Sequence, residues 1–206
     1  MKIGIMGGTF DPIHKGHLML GEAALHQCGL DEVWFMPNGN PPHKSKESIQ
    51  STVKDRLAMT ELAVRDCEKF RVEPYEADRE SISYTYETLE HFSKVYPKEC
   101  FYFIIGADSL FAIDSWVHPE KIFPRCILLA AYRDDIDTPE EMYAQMRLLK
   151  RQYPDIQAEL LHVSPMEVSS HEIRRRLREG LPVSEFLPEQ VETYIREEGL
   201  YERRAQ

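Results

Sequence analysis

The sequence has no long apolar run. No stretch approaches the roughly 20 consecutive apolar residues that a membrane-spanning helix needs. The first apolar segment, Lys2 to Met6, leads directly into two glycines, without the small-residue cleavage pattern of a secretory signal peptide. We therefore expect a cytoplasmic protein with no membrane partner, and 206 residues with a 42% hydrophobic composition are enough for one sizeable core.

Cysteine is scarce, and no two cysteines form a C-x-x-C pair. The four cysteines lie within apolar or helical segments, at positions 28, 67, 100 and 126. This pattern favours free thiols in a reducing compartment over disulfides or a zinc site.

The chain also lacks an excess of basic residues. Its net charge of −10 argues against a general nucleic-acid binder, because such a protein needs a basic surface to collect phosphates. A local cluster of cations could still hold a small anionic ligand inside an acidic protein.

Two common phosphate-binding motifs are missing. The absence of G-x-x-x-x-G-K-[ST] excludes a Walker-type loop, and the absence of G-x-G-x-x-G excludes the ordinary dinucleotide fingerprint. A phosphate site in this chain must therefore use another arrangement of glycines and side chains.

Short apolar segments alternate with helical patterns along the chain. We predict buried strands at 2–6, 33–36, 100–105, 127–131 and 159–163. Helices are predicted at 14–28, 53–67, 84–95, 139–153, about 170–179 and 188–198. In the second helix, Leu57, Leu62 and Val64 are expected on the buried face. The alternation implies right-handed βαβ crossovers, so we predict one α/β domain over residues 1–206, with a Rossmann-like, doubly wound, mostly parallel sheet and helices on both faces.

Ligands of such sheets bind beyond the carboxyl ends of the strands, where the turns gather. The chemically informative residues fall in four turns, at 7–17, 38–44, 106–108 and 169–174. We therefore expect them to share one site, which the helical part from about residue 170 to 206 completes.

The strongest local signal is the segment from Gly7 to His17, Gly-Gly-Thr-Phe-Asp-Pro-Ile-His-Lys-Gly-His. Its glycines let a ligand approach the backbone closely, and Gly16 leaves room between two histidines. His14 and His17 stand three residues apart at a helix start, so they lie on one face. Helix N-terminal amides and two imidazoles suit a triphosphate. The candidate ligands are Gly7, Gly8, Thr9, Phe10, His14, Gly16 and His17.

Two other interpretations of that segment are weaker. A glycine turn could simply precede two exposed histidines. A zinc site would need third and fourth ligands at suitable spacing, and the sequence has none.

A second polar segment runs from Ser169 to Arg174, Ser-Ser-His-Glu-Ile-Arg. The spacing from Ser169 to Glu172 predicts a capping box that opens a helix. The helix start would present two hydroxyls, on Ser169 and Ser170, and the guanidinium of Arg174, which can bridge phosphate oxygens in bidentate fashion. Alone, the segment is equally compatible with an ordinary capped helix and a solvated basic face.

Together the two segments resemble the signatures of the nucleotidyltransferase superfamily, T-F-D-P-x-H-x-G-H and S-S-T-x-I-R. The second match departs at His171, where threonine is usual. Members of this superfamily join a nucleotide to a phosphate or phosphate-bearing substrate.

Further segments resemble the bacterial nicotinate-nucleotide adenylyltransferase family in particular, over nearly the whole chain. They are Pro42-His-Lys44, Asp55-Arg-Leu-Ala-Met59, Ser83-Tyr-Thr85, Ile105-Gly-Ala-Asp108 with Trp116, and a closing stretch from Leu187 to Tyr201. Arg133 also matches, although Asp134 replaces the proline that usually follows. The resemblance implies transfer of the adenylyl group of ATP to nicotinate mononucleotide, which gives nicotinate adenine dinucleotide and pyrophosphate in NAD biosynthesis.

The resemblance also implies residue roles. Trp116 would stack on the nicotinate ring, and amides and a hydroxyl near Thr85 would hold its carboxylate. Asp108 would accept a hydrogen bond from a ribose hydroxyl. The implied mononucleotide ligands are Lys44, Tyr84, Thr85, Asp108, Trp116 and Arg133, and the implied ATP ligands include Gly106, Asp108, Ser169, Ser170 and Arg174. Simpler roles stay open: Trp116 as a core aromatic, Thr85 as a helix cap, and Asp108 as the cap of a helix from Ser109.

The implied chemistry is in-line attack by the 5′-phosphate of the mononucleotide on the α-phosphorus of ATP. Because the nucleophile is already an anion, catalysis would depend on positioning and electrostatic stabilisation. We predict that His14 and His17 contact the transferring phosphate, and that Lys44 and Arg174 neutralise pyrophosphate. Mg²⁺ would arrive with ATP, held mainly by phosphate oxygens and water, with no dedicated protein metal site.

The sequence leaves three alternatives. A phosphopantetheine adenylyltransferase would have threonine in place of His14 and would lack the pattern around Trp116. An enzyme that prefers nicotinamide mononucleotide would differ in only a few hydrogen bonds. A non-catalytic nucleotide-binding regulator would be expected to lose a phosphate-contacting residue. The sequence also leaves open whether the chain forms a homo-oligomer.

Overall fold

The computed structural model describes residues 1–39, 49–79, 81–132, 138–163 and 168–202. Within these ranges there are six strands: β1 (Lys2–Gly8), β2 (Glu32–Pro37), β3 (Phe70–Val72), β4 (Cys100–Gly106), β5 (Ile127–Tyr132) and β6 (Gln157–His162). They form one sheet in the order β3-β2-β1-β4-β5-β6.

The sheet confirms the predicted fold class. The pairs β1–β4, β4–β5 and β5–β6 are parallel, with Ile3 opposite Phe101 and Phe103 opposite Leu128. The strand order is that of the Rossmann fold. Five consecutive residues of β4 are buried, as expected for a parallel strand that is covered on both faces.

The helices are α1 (Lys15–Cys28), α2 (Val53–Val64), α3 (Thr85–Val95), α4 (Ala107–Ala112), α5 (Pro119–Ile122), α6 (Pro139–Gln152), α7 (Ser170–Arg178) and α8 (Glu189–Glu197). All six predicted helices are confirmed, with ends that differ by up to three residues. The prediction missed β3 and α5 because three or four residues are too few to show a hydrophobic period, and α4 was considered only as an alternative, with its start at Ser109.

The predicted buried face of α2 is only partly right. Leu57 and Leu62 are half-buried, whereas Val64 is buried as predicted. The other fully buried positions of α2 are Arg56, Met59, Thr60 and Ala63. They follow the i, i+3, i+4, i+7 spacing of a helix face, so the face is regular, but its polar residues concealed it in the sequence.

The chain divides into two compact units. The first comprises Met1–Met6, Leu20–Trp34 and Ser83–Pro165, and the second comprises Gly7–Met19, Phe35–Ile82 and Met166–Gln206. The single domain expected over residues 1–206 stays a prediction.

Each unit has its own aromatic cluster. In the first unit, Trp34 packs edge-on against Phe92, Tyr96 and Phe101, with ring centroids 5.4–6.1 Å apart. In the second unit, Phe35 contacts Phe70 at 4.9 Å. Edge-on pairs of this kind place the positive edge of one ring against the negative face of another.

Two composition-based expectations can be compared with the structure. The four cysteines are free thiols. No helix in the described part of the chain combines the length and the apolar character that crossing a bilayer would require.

Gly39 allows a test of how closely main-chain atoms pack together in the second unit. A Cβ atom there would lie 2.3 Å from the carbonyl oxygen of Glu76 and 3.0 Å from that of Arg79. Because these are main-chain atoms that cannot rotate away, we expect Gly39→Ala to lower the free energy of unfolding by about 1–3 kcal/mol.

Urea unfolding measures the effect, and Gly106→Ala is the control. A Cβ at Gly106 meets nothing within 4 Å, so this variant should lose less than about 1 kcal/mol. Equal losses in the two variants would contradict the steric explanation.

Candidate active site

The loop after β1 is shaped by Phe10. Its backbone is in the left-handed region, with φ of 50°, and its side chain is buried. A Cβ on Gly8 would lie 2.7 Å from the Phe10 ring. Gly8 therefore has a packing function as well as the predicted function of admitting a ligand.

The two histidines of the segment form a stacked pair. His14 directly precedes α1 and His17 lies in its first turn, and their ring centroids are 3.7 Å apart with an interplanar angle of 24°. The prediction that they share a face is confirmed. Phe10 packs edge-on against His17, with centroids 5.0 Å apart. The Cβ position of Gly16 lies 3.1 Å from His14 Nδ1 and from Val168 Cγ1, so the His14 ring and Val168 occupy the predicted free space.

A main-chain hydrogen bond determines the tautomer of His17. The His14 N–H donates to His17 Nδ1 at 3.2 Å. Nδ1 is thus an acceptor, and the proton of the neutral imidazole is on Nε2. The contact has the geometry of half a capping box, in which a side chain of the first turn accepts from the residue before the helix.

Burial makes His14 a neutral side chain. Desolvation lowers the pKa of His14 from 6.5 to about 4, because the ring is nearly inaccessible to water. Its Nδ1 is buried and has no hydrogen-bond partner among the described residues. A buried polar atom of this kind is a candidate hydrogen-bonding group for a ligand.

The first amides of α1 are only partly available to a phosphate. Lys15 N–H donates to the Phe186 carbonyl at 2.8 Å, and His17 N–H donates to the His14 carbonyl at 2.9 Å. These two donors are therefore satisfied by the protein, and the predicted helix-terminus anion site loses them.

The second polar segment opens α7 as predicted. Ser169 is the N-cap, and its hydroxyl accepts from the Glu172 N–H at 3.1 Å. The Glu172 carboxylate binds Arg175 and Arg176, whose hydrogen bonds lower its pKa to about 2. The cap is therefore present, while the glutamate is used in surface ion pairs.

Residues of the two segments meet in the second unit. The Ser170 hydroxyl donates to the Pro12 carbonyl at 2.8 Å, and Arg174 Nη1 donates to the Asp11 carbonyl. Arg174 Nη1 also lies 3.5 Å from Asp11 Oδ2. The structure thus joins the two segments that the sequence separates by about 160 residues.

Two residues that sequence reasoning missed support this loop. Asp11 is 3% exposed and Arg56 is 1% exposed. Arg56 Nη1 donates to the Thr9 carbonyl at 2.8 Å, and Nη2 lies 3.4 Å from the Gly39 carbonyl. Asp11 stands in the first segment and Arg56 in the Asp-Arg-Leu-Ala-Met match, but neither pattern indicates that these charges are buried.

A separate group of candidate residues lies in the first unit, around the start of α3. Tyr84 is the N-cap residue and Thr85 the first helical residue, and Tyr84 makes no side-chain cap. The helix-cap alternative for Thr85 is therefore wrong. The rings of Tyr84 and Tyr86 stack with centroids 6.1 Å apart, and Tyr86 packs edge-on against His118 at 4.9 Å.

Trp116 is half-buried and does not belong to the core. The Trp116 ring packs edge-on against the buried Phe103 ring of β4, with ring centroids 6.2 Å apart. The interpretation of Trp116 as a core aromatic is therefore wrong. Two residues later, His118 has φ of 54°, a left-handed conformation that non-glycine residues adopt mainly where surrounding contacts impose it.

Gly106 ends β4 and is also the N-cap of α4. Because α4 begins at Ala107 rather than Ser109, Asp108 lies in its first turn and is not a cap. Asp108 is exposed. Lys44 and Arg133, the remaining candidates, lie outside the described residues.

Comparison with known proteins decides the family. The family described as cytidylyltransferase-like matches residues 5–176. A curated relative from Lachnoclostridium phytofermentans, named probable nicotinate-nucleotide adenylyltransferase, is 42% identical over 97% of this chain and 98% of its own length. A relative of the same name from Clostridium kluyveri is 40% identical over 98% of this chain and 99% of its own.

The chain belongs to the nicotinate-nucleotide adenylyltransferase family.

The fold is also found in a solved structure of a protein with the corresponding name. The nicotinic acid mononucleotide adenylyltransferase of Plasmodium falciparum, complexed with NaAD, matches with a TM-score of 0.79 over 97% of both chains. At 21% identity this likeness concerns the fold alone. It supports the Rossmann-like topology derived from the strand order.

The described residues of this adenylyltransferase family member do not provide a metal centre. Among them, no three or more His, Cys, Asp or Glu side chains are grouped so that they could hold a metal ion.

The low pKa of His14 predicts a pH-dependent stability. The unfolded chain binds a proton near pH 6.5, whereas folded His14 does so only near pH 4. Since the unfolded state then holds more protons, the free energy of unfolding should fall as the pH drops from about 6.5 towards 4. Between pH 7 and pH 5 this effect amounts to about 2 kcal/mol.

We expect His14→Gln, which cannot be protonated, to lose about 2 kcal/mol less than the unchanged protein between these pH values. Denaturant unfolding at pH 7 and pH 5 measures the difference. His26→Gln on the exposed end of α1 is the control and should behave like the unchanged protein. A His14→Gln protein with the same pH dependence as the control would refute the assignment.

Proposed function

We propose that this chain transfers the adenylyl group of ATP to nicotinate mononucleotide, producing nicotinate adenine dinucleotide and pyrophosphate in NAD biosynthesis. The observation that supports this function most strongly is the stacked His14–His17 pair, in which a buried imidazole nitrogen has no partner among the described residues. Relatives about 40% identical over their whole length carry the name of this activity.

The reaction forms one P–O bond and breaks another. An oxygen of the mononucleotide's 5′-phosphate attacks the α-phosphorus of ATP in line. The bond from the α-phosphorus to the oxygen that bridges to the β-phosphorus breaks, and its electron pair leaves with pyrophosphate. The attacking oxygen is already anionic, so no general base and no covalent enzyme intermediate are required.

The histidines then act as neutral hydrogen-bond donors. His17 carries its proton on Nε2 and can donate it in a hydrogen bond to a phosphoryl oxygen. His14 remains uncharged at neutral pH because its pKa is about 4. Neutral donors are sufficient here, since the charge that builds up on the phosphoryl oxygens needs stabilisation rather than proton transfer.

Cationic side chains would complete the binding of the phosphates. Arg174 lies beside the first segment and has a buried Nε without a partner among the described residues. We propose that Arg174 and Lys44 neutralise the pyrophosphate. Gly7, Gly8, Thr9, Phe10, Gly16, Ser169 and Ser170 would contribute to the same ATP site. Mg²⁺ would accompany ATP, bound mainly by phosphate oxygens and water.

The mononucleotide would use residues of the first unit. Trp116 is half-buried, so part of its ring can stack on a pyridine. Gly106, in the same unit, is a proposed ATP contact, and a Cβ there would touch no protein atom within 4 Å, so a nucleotide can approach its backbone closely. Asp108, Tyr84, Thr85 and Arg133 remain proposed contacts, and the cytoplasmic location stays a prediction.

Pyrophosphate release tests this function directly. With ATP and Mg²⁺, we expect release with nicotinate mononucleotide and at least tenfold lower kcat/KM with nicotinamide mononucleotide, a difference of about 1.4 kcal/mol in transition-state binding. Phosphopantetheine should give no release. Preference for the amide would replace the proposed acid specificity, and binding of ATP without release with any acceptor would favour a regulator.

His17 is the residue whose change should affect turnover most specifically. His17→Asn keeps an acceptor near the position of Nδ1 but removes Nε2–H, so we expect kcat to fall about 10²–10³-fold while the fold is retained. Steady-state kinetics and circular dichroism measure the two effects.

His26→Asn, on the exposed side of the same helix, is the matched control and should keep normal turnover. A folded His17→Asn protein with near-normal kcat would exclude the proposed contact between His17 and the transferring phosphate.

A further inference from the structure

Tyr201 is held inside the second unit by the turn that follows α8. Gly199 N–H donates to the Arg196 carbonyl and Leu200 N–H to the Ile195 carbonyl, the two bonds of a Schellman motif. Gly199 has φ of 61° and Tyr201 has φ of 64°. A tyrosine in this region is strained, so its side-chain contacts must compensate for the strain.

The principal polar contact of Tyr201 is with Asp11. Its hydroxyl donates to Asp11 Oδ1 at 2.7 Å, and its oxygen lies 3.1 Å from Ser51 Oγ, which also donates to Oδ1. Tyr201 is 7% exposed. Burial, followed by the charge of Asp11, raises the pKa of Tyr201 far above its ordinary value, so the hydroxyl keeps its proton.

Asp11 connects this hydroxyl to Arg174. A buried carboxylate is stable only when hydrogen bonds and opposite charge saturate its oxygens. Gln50 N–H donates to Oδ2 at 2.9 Å, and Arg174 Nη1 lies 3.5 Å from the same oxygen. Without the tyrosine hydroxyl, Oδ1 would lose one of its two hydroxyl donors, and the carboxylate would be free to shift relative to the guanidinium.

The guanidinium of Arg174 uses Nη1 within the protein, whereas its Nε finds no partner in the described segments. Nη1 is engaged by both the carbonyl and the carboxylate of Asp11, and the side chain is 12% exposed. Nε is buried without a partner among the described residues. Such a guanidinium has a donor left for an anion, and its orientation depends on Asp11.

We propose that Tyr201 and Asp11 are positioning residues that hold the Arg174 guanidinium in the orientation required by the β- and γ-phosphates of ATP, and that Tyr201 acts through Asp11. This inference rests on the proposed function of Arg174 as a phosphate ligand. It assigns a role in triphosphate binding to a residue about 190 positions away in the sequence from the loop that it supports.

Tyr201→Phe removes the hydroxyl and keeps the ring. Calorimetry on the full chain would measure the dissociation constants of an ATP analogue with an α,β-methylene bridge, of inorganic pyrophosphate and of nicotinate mononucleotide. We expect the first two to weaken about 5–20-fold, because the hydrogen bond that is removed has a charged acceptor. Binding of the mononucleotide should change less than about twofold.

Tyr194→Phe is the matched control. Tyr194 lies in α8 and its hydroxyl donates to another carboxylate, Asp55 Oδ1, at 3.0 Å. This variant should bind all three probes as the unchanged protein does. Equal weakening of every probe by Tyr201→Phe, or an equal effect of the two tyrosine variants, would overturn the inference in favour of a purely structural role.

A double-variant cycle separates positioning from general stability. Arg174→Lys keeps the charge but removes the planar fork, so it should weaken the analogue and pyrophosphate by itself. In the Arg174→Lys protein, adding Tyr201→Phe should raise the dissociation constants of the analogue and of pyrophosphate by less than about twofold. Additive losses, or normal binding by Arg174→Lys, would overturn the inference. Asp11→Asn, which keeps the size of the side chain, should reproduce the selective loss of phosphate affinity.

The outcome is independent of the test of the proposed function. If the unchanged chain releases no pyrophosphate with any mononucleotide, yet Tyr201→Phe weakens pyrophosphate binding through Arg174, the proposed function fails and the inference stands. If pyrophosphate is released normally and Tyr201→Phe leaves binding unchanged, the proposed function stands and the inference fails.

Discussion

The buried carboxylate of Asp11 joins several separate segments of the second unit. Its charge is tolerated because Gln50, Ser51, Arg174 and Tyr201 supply donors from three different parts of the chain. A charge that is removed from water without such partners would cost several kcal/mol. The need to saturate this carboxylate therefore links the loop after β1, the segment before α2, helix α7 and the turn after α8.

Burial also defines the chemistry of the histidine pair. The same desolvation that keeps His14 uncharged also makes it costly that Nδ1 finds no hydrogen-bond partner within the described ranges. The main-chain bond from His14 to His17 then fixes which nitrogen of His17 carries the proton. Two histidines of one motif are thus made different: one is buried and neutral, and the other is oriented by the backbone of the first.

In the part of the chain that the structure describes, three non-glycine residues have left-handed backbones: Phe10, His118 and Tyr201. Each belongs to or adjoins a candidate functional segment. Phe10 contacts His17, and the Tyr201 hydroxyl donates to Asp11. His118 follows Trp116 by two residues. Backbone strain persists only where the surrounding contacts impose it, and it is concentrated at functional positions. The backbone and the sequence motifs therefore point to the same segments by independent routes.

The sequence by itself determined the features that depend on local periodicity and local chemistry. Apolar runs identified five of the six strands found in the described segments. The Ser169 cap located the start of α7, and the i, i+3 spacing placed His14 and His17 on one face. Only the tertiary structure decided which polar groups are buried and with what they pair. The burial of Arg56, the hydrogen bond from the Lys15 amide to Phe186 and the bond from Tyr201 to Asp11 all depend on contacts between distant residues. No helical or strand period encodes such contacts, because a period specifies a face of one element and not the partner that covers it.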